Sequence, residues 1–291
     1  MAGLPICVES ADTAFFEQRF AEYRRNDQAT PVMTLRTRIR DFVPKPDGEV
    51  IQRVRGVVTL RQSDGYLLHY PGDPAQGEAS FVIRYLPDYS DAEIILTPAR
   101  ATSELSLTDW EYVYSGAVFR NRLAVLGGGV LHSSALSWRG KGVAFSADPG
   151  VGKSTHVNLW KECFGDDVVV INDDKPAIFY EGDQAMLCGT PWSGKTALNT
   201  NRQVPLHAIV FIERGEQNAI RRLDMVESIR RLLGQLARPY YDAELGLRAV
   251  DFAERLCDTL PICCLTCNIS REAVKTAFCG LFGRTEWPLS E

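Results

Sequence analysis

GVAFSADPGVGKSTHVNLWKECFGDDVVVINDDK, residues 142–175, decides how this chain is read. The apolar run Val143-Ala144-Phe145 leads into Ala147-Asp148-Pro149-Gly150-Val151-Gly152. From Ser154 to about Phe164, the residues Val157, Trp160 and Phe164 share one helical face. A strand that hands the chain to a helix through such a loop is built to hold an anion. The first N–H groups of the helix lack partners, and its dipole favours negative charge there. Gly150 and Gly152 permit close backbone approach and unusual dihedrals. The spacing predicts that Lys153 reaches the β- and γ-phosphates of a nucleotide and that Ser154 places its hydroxyl on Mg²⁺. The predicted cradle is Asp148, Pro149, Gly150, Val151, Gly152, Lys153, Ser154 and Thr155.

A second stretch matches the G-x-x-x-x-G-K-[ST] pattern more strictly: Gly189-Thr190-Pro191-Trp192-Ser193-Gly194-Lys195-Thr196. The first has Ala147 where the leading glycine belongs. Context favours the imperfect one, because Pro191 and bulky Trp192 sit inside the second loop and no apolar stripe follows it before Pro205.

A phosphate loop needs a carboxylate to support the metal, usually at the end of a neighbouring strand. Val168-Val169-Val170-Ile171 reads as a strand covered on both faces, and Asn172-Asp173-Asp174 follows at its C-terminal end, where open α/β sheets place ligands. Adjacent side chains on an extended backbone diverge, so one carboxylate is expected to hold metal and the other to accept a proton from a hydroxyl. Asp166-Asp167, in the turn before the strand, read as solvated turn residues.

Working outward, residues 12–25 have helical spacing of Phe15, Phe16, Phe20 and Tyr23, and strand-like runs follow at 32–39, 57–60, 66–70, 81–85 and 93–96. Residues 1–104 are thus predicted to be a β-rich N-terminal region and 105–291 the catalytic domain. In the latter, a helix starts at Ser106 and stops at Gly127-Gly128-Gly129. Strands are expected at 130–138, 142–147, 168–171, 209–212 and 260–267, and helices at 154–164, 224–237, 246–259 and 270–281, the first of the last three opened by an Asp224–Glu227 capping box. That alternation is α/β with a partly parallel core.

The 291 residues are 45% hydrophobic and 24% charged, ordinary for a globular chain. The net charge of −5 argues against a nucleic-acid partner. No apolar run approaches the ~20 residues of a membrane span, and Met1-Ala2-Gly3-Leu4-Pro5 does not start a signal peptide. No membrane partner and a cytoplasmic location are expected. Of the eight cysteines, Cys264 and Cys267 form C-x-x-C, but they lie in a strand-like run that points them to opposite faces, so buried thiols are expected rather than a metal or redox pair.

The segment from His132 through Lys175 resembles the core of the HPr serine kinase/phosphorylase family, whose fold is shared more distantly with phosphoenolpyruvate carboxykinases. The matching features are His132 ahead of the loop, the loop 147–154, and the strand ending in Asp173-Asp174. The resemblance covers roughly 130–215 and hardly touches the first 100 residues. It implies an HPr kinase/PEP carboxykinase-like P-loop core with a mixed sheet. It implies that His132 lies near metal and phosphates, that Lys153 and Ser154 bind phosphate and metal, and that one aspartate, with Asp173 assigned to the metal, supports Mg²⁺ while the other is the general base. It also points to a homo-oligomer. Lys175 stands where the bifunctional enzymes carry Arg, and the glycine-rich signature of the phosphorolytic reaction is not recognisable, which is closer to the stand-alone HPr-kinase-like proteins. Thr190, Ser193 and Lys195 are the candidates for substrate or γ-phosphate contact, against a plain structural turn. The expected activity is an ATP- and Mg²⁺-dependent transfer of the γ-phosphoryl group to a hydroxyl of a peptide, a protein or a small molecule. The rivals are a nucleotide-binding regulatory protein without phosphotransfer and a carboxykinase-like lyase. His69, His156 and His207 are expected to be structural.

Overall fold

The computed structural model describes residues 1–25, 29–43, 46–54, 56–72, 79–194, 196–239, 242–283 and 287. The chain falls into two compact units, one reaching to Leu126 and the other starting at Gly127.

In the first unit, strands β1 (Ile6–Glu9), β2 (Met33–Ile39), β3 (Glu49–Val54), β4 (Val57–Arg61), β5 (Leu67–Pro71), β6 (Phe81–Tyr85) and β7 (Asp91–Leu96) form one sheet, ordered β1-β2-β7-β6-β5-β4-β3. β2 runs parallel to β1 and β7, and the other neighbours are antiparallel. Helix α1 (Thr13–Arg19) is shorter than expected, because a 3₁₀ turn at Ala21–Tyr23 takes over after Phe20. Helix α2 (Leu107–Val125) opens on a full capping box: Ser106 Oγ accepts from Asp109 N at 3.2 Å, and Asp109 Oδ2 accepts from Ser106 N at 2.8 Å. Its Glu111 carboxylate accepts from the backbone N–H groups of Ala11 (2.9 Å) and Asp12 (3.2 Å). These bonds tie α2 to the first unit, so the boundary lies after this helix and not at 104/105.

The second unit is α/β with a mixed sheet. Its strands are β8 (Gly129–Val130), β9 (Ser133–Trp138), β10 (Lys141–Ser146), β11 (Val168–Asn172), β12 (Ala177–Glu181), β13 (Gln184–Cys188), β14 (Gln203–Arg214), β15 (Ala219–Arg222) and β16 (Ile262–Cys267). The helices are α3 (Lys153–Phe164), α4 (Met225–Gln235), α5 (Ala243–Thr259) and α6 (Arg271–Phe282). β10, β14 and β16 are parallel, while β9 runs antiparallel to both β10 and β11. The long β14 belongs to two ladders. Its first residues pair with β13, which leads on to β12 and β8, and from Leu206 it pairs with β10 and β16.

The apolar strand runs follow from cover on both faces. Ala144, Ile209, Phe211, Ile262 and Cys264 face one core with Leu232, Leu236, Phe252 and Leu256 of α4 and α5. Val143, Phe145, Val210, Ile212 and Leu265 face a second core with Val157 and Trp160 of α3 and Val274 and Phe278 of α6. Cys264 lies in the first core and Cys267 in the second, so the two thiols sit on opposite faces of the sheet, and both are free and buried. No helix among the described residues is long and apolar enough to cross a membrane.

Candidate functional site

The 147–152 loop leaves β10 at Ser146 and enters α3 at Lys153. Gly152 is the N-cap with φ 125°, a conformation that a side chain would strain, and Gly150 has φ 78°. The first bond closing on the cap is His156 N to Gly152 O at 2.9 Å, which leaves the N–H groups of Lys153, Ser154 and Thr155 outside the helical ladder. Lys153 Nζ turns back over the loop and donates to Ala147 O at 2.8 Å and Asp148 O at 3.4 Å. Burial pushes its ammonium below the ordinary lysine value, opposed by the charges of Asp174, Asp148 and Asp173. Ser154 is half-buried and Thr155 exposed. Arg214, at the end of β14, holds the outer side of the loop, donating from Nε to Val151 O at 3.2 Å and from Nη2 to Gly150 O. Nothing in the sequence pattern had marked Arg214, because a single arginine after an apolar strand has no distinctive spacing.

The carboxylate pair stands at the same end of the sheet, although not on a strand next to β10. β9 lies between β10 and β11, and because it is antiparallel to both, the ends of β10 and β11 emerge together beside its start. Ser134 bridges the gap, its Oγ donating to Asp173 Oδ1 at 2.5 Å, a short charge-assisted bond. Asn172 shapes the tip: its Oδ1 accepts from Asp174 N (2.9 Å) and Lys175 N (2.6 Å). Asp174 is half-buried, with Lys175 Nζ 2.7 Å from its Oδ2 and His132 Nε2 3.5 Å from its Oδ1.

His132 was expected inside a strand at 130–138. That strand is two pieces: Val130 pairs with β12, Ser133 pairs with β10, and His132 sits at the step between the two ladders. Its position is fixed from α4, with His132 N donating to Gln235 O at 2.9 Å and Nδ1 3.1 Å from Gln235 Oε1. The Gln235 amide nitrogen donates to Asp148 Oδ1 at 3.0 Å. With its NH₂ committed to Asp148, Gln235 presents oxygen to His132, and the network assigns the imidazole proton to Nδ1. A continuous chain of contacts thus runs Asp148–Gln235–His132–Asp174–Lys175, with Lys153 in the field of Asp148, Asp173 and Asp174.

The second glycine-lysine stretch has another role. Thr190 and Ser193 are buried. Thr190 Oγ1 donates to Lys175 O at 2.8 Å, and Asn172 Nδ2 donates to Thr190 O at 2.8 Å. Ser193 Oγ accepts from Asn199 Nδ2 at 2.9 Å. These hydroxyls frame the turn. Gly194 (φ 65°) packs on Asp174: a Cβ there would lie 3.1 Å from Asp174 Oδ2. Lys195 lies outside the described residues. The 198–200 stretch lies along the outer edge of β11, with Asp173 N donating to Leu198 O at 3.0 Å and Thr200 N to Ile171 O at 3.1 Å. Of the other histidines, His156 Nε2 accepts from Trp160 Nε1, and His207 stacks on Phe282.

Two clefts flank the 147–152 loop. One, of about 510 Å³, is walled by Val151, Leu159, Ile212, Cys267 and Ile269, with Thr155 at its edge. The other, of about 580 Å³, lies on the α4 side and is lined by Asp148, Glu213, Arg214, Arg230, Arg231 and Gln235.

No family model matches the chain. No curated protein sequence matches it. Among solved structures, the HPr(Ser) kinase/phosphatase from Coxiella burnetii aligns with 44% of this chain and 90% of its own length, at 14% sequence identity and a TM-score of 0.26. A score that low fixes neither fold nor activity.

Proposed function

We propose that this chain is an ATP- and Mg²⁺-dependent kinase that transfers the γ-phosphoryl group to a hydroxyl. The observation that carries the reading is a shared sheet end: the glycine turn opening α3 and the Asp173–Asp174 tip both emerge beside the start of β9, with Lys153 in the field of both aspartates. The free N–H groups at the start of α3 and Lys153 bind and neutralise phosphate. The apolar cleft beside Thr155 suits a nucleoside base, since it continues from the loop and is walled by aliphatic side chains.

The donor set fits Mg²⁺, a hard cation that takes oxygen ligands. Ser154 Oγ and the Asp173 carboxylate would hold it, and when bound it neutralises charge on the phosphates. Asp174 is the general base. It takes the proton of the attacking hydroxyl, whose oxygen bonds to the γ-phosphorus as the bond to the β-phosphate oxygen breaks and ADP departs. His132 Nε2, 3.5 Å from Asp174 Oδ1, is placed to receive that proton next.

The test uses γ-labelled ATP with cell extract and with serine peptides as acceptors. Label moving to an acceptor, lost in Lys153→Ala, supports the kinase. Release of labelled phosphate with no labelled acceptor supports the regulatory alternative and overturns phosphotransfer.

A further inference from the structure

We infer that the cleft on the α4 side of the 147–152 loop is the acceptor site, and that it selects an acceptor carrying a carboxylate or phosphate near the hydroxyl. The inference rests on the reading of that loop as the nucleotide site. The loop separates two unlike spaces: the cleft beside Thr155 has the aliphatic wall of Val151, Leu159, Ile212 and Ile269 with Arg214 and Glu216 at its lining, whereas the α4 cleft shares Arg214 and adds Arg230 and Arg231 against Asp148 and Glu213. In a chain of net charge −5, that local sign runs against the whole.

The three guanidinium groups are not equivalent. Arg231 is neutralised and held, with Nη2 2.6 Å from Glu213 Oε1 and 2.7 Å from Glu227 Oε1. Arg214 spends its N–H groups on the carbonyls of Gly150 and Val151, and among the described residues it forms no ion pair. Arg230 is exposed and, among the described residues, has neither an ion-pair nor a hydrogen-bond partner. The cleft therefore holds one rigid arginine wall and one unspent fork. An arginine fork matches the two oxygens of a carboxylate or phosphate, which a lysine does not. The location is connected to the proposed base as well. Gln235 lines the cleft and touches His132, which faces Asp174, so two side chains link a group entering here to that base.

Inorganic phosphate is the probe, titrated into the full chain loaded with Mg²⁺ and a non-hydrolysable ATP analogue and followed on the Nε–Hε resonance of Arg230, assigned by its loss in Arg230→Lys. A saturable shift of that resonance is expected, with phosphate affinity at least tenfold weaker in Arg230→Glu. Thermal stabilisation by the analogue in the same samples reports on the nucleotide reading separately. If it is absent, that reading fails, and the phosphate titration is read in Lys153→Ala, where the loop no longer competes for anions. Labelling with γ-labelled ATP then distinguishes the sources of the anion: a serine peptide flanked by glutamates, the same peptide flanked by lysines, and glycerate as a small hydroxy acid. Preference for either acidic acceptor, lost or reversed in Arg230→Glu, supports the inference. An unmoved Arg230 resonance with unchanged phosphate affinity in Arg230→Glu overturns it, as does equal labelling of the acidic and basic peptides.

Discussion

Lys153 is the residue on which three carboxylates act while burial disfavours its charge. Lys153→Ala is expected to abolish stabilisation by nucleotide, worth about 2.7 kcal/mol when the ligand is at a hundred times its Kd. An unchanged thermal shift in that variant would move the nucleotide elsewhere. Asp174→Asn should leave binding intact and lower turnover by a factor of about 10² or more, the usual scale of a lost general base; wild-type turnover would remove Asp174 from that role. Gln235 acts through His132, so its signature is spectroscopic. In ¹⁵N-histidine-labelled protein above neutral pH, His132 should carry its proton on Nδ1, and Gln235→Leu should mix the tautomers while leaving the circular dichroism unchanged. An Nε2–H signal in the wild type would contradict the hydrogen-bond assignment.

At the scale of elements, α3 owes its position to aromatic packing. Phe278 of α6 meets Trp138, Trp160, Phe164 and Phe282 with ring centroids 4.8 to 6.0 Å apart. Phe278→Ala is expected to cost about 3–5 kcal/mol in urea unfolding, since it opens a cavity in a closed cluster. An effect below about 1 kcal/mol would mean that α3 is held some other way. The sequence made α3 and its flanking strands legible because the glycine loop and the apolar stripe agree. β12, β13 and β15 were not foreseen: Ala177–Glu181 and Gln184–Cys188 are short strands joined by a Gly182-Asp183 turn, and their pattern was overshadowed by the motif-like stretch at 189–196. That stretch matches a phosphate-loop pattern in letters but follows β13 without an ensuing helix, so it becomes a bracket for Asp174. The Asp224–Glu227 pair was half right. Asp224 caps α4 by accepting from Glu227 N at 2.8 Å, but the Glu227 carboxylate turns to Arg221 and Arg231, partners that local spacing does not reveal. Gln235 and Ser134 were invisible for the same reason, since each gains its role only when sheet and helix meet.

Each unit of the whole molecule contains one imidazole kept neutral by burial: His69 in the first and His156 in the second, both pushed down to about 4. An unfolded histidine titrates near 6.5, at about its unperturbed value. The unfolded chain therefore binds more protons than the folded one as pH falls below that value. This stabilisation is complete above pH of about 6.5 and is lost progressively toward pH of about 4. Urea midpoints should fall across that window, and His69→Phe and His156→Phe should each flatten part of the slope. A slope unaltered in both variants would assign the acid sensitivity to carboxylates.

Trp160 lies two turns along α3 from Lys153, at about 10 Å by helical rise, with its indole N–H bonded to His156 at 3.0 Å. The emission colour of an indole follows the electric field along its ring, and a polyanion seated at the head of this helix would project its field straight down that axis. Of the five tryptophans, Trp160 is the one on α3, so a change in its emission would report an anion seated where the first amides of that helix point outward.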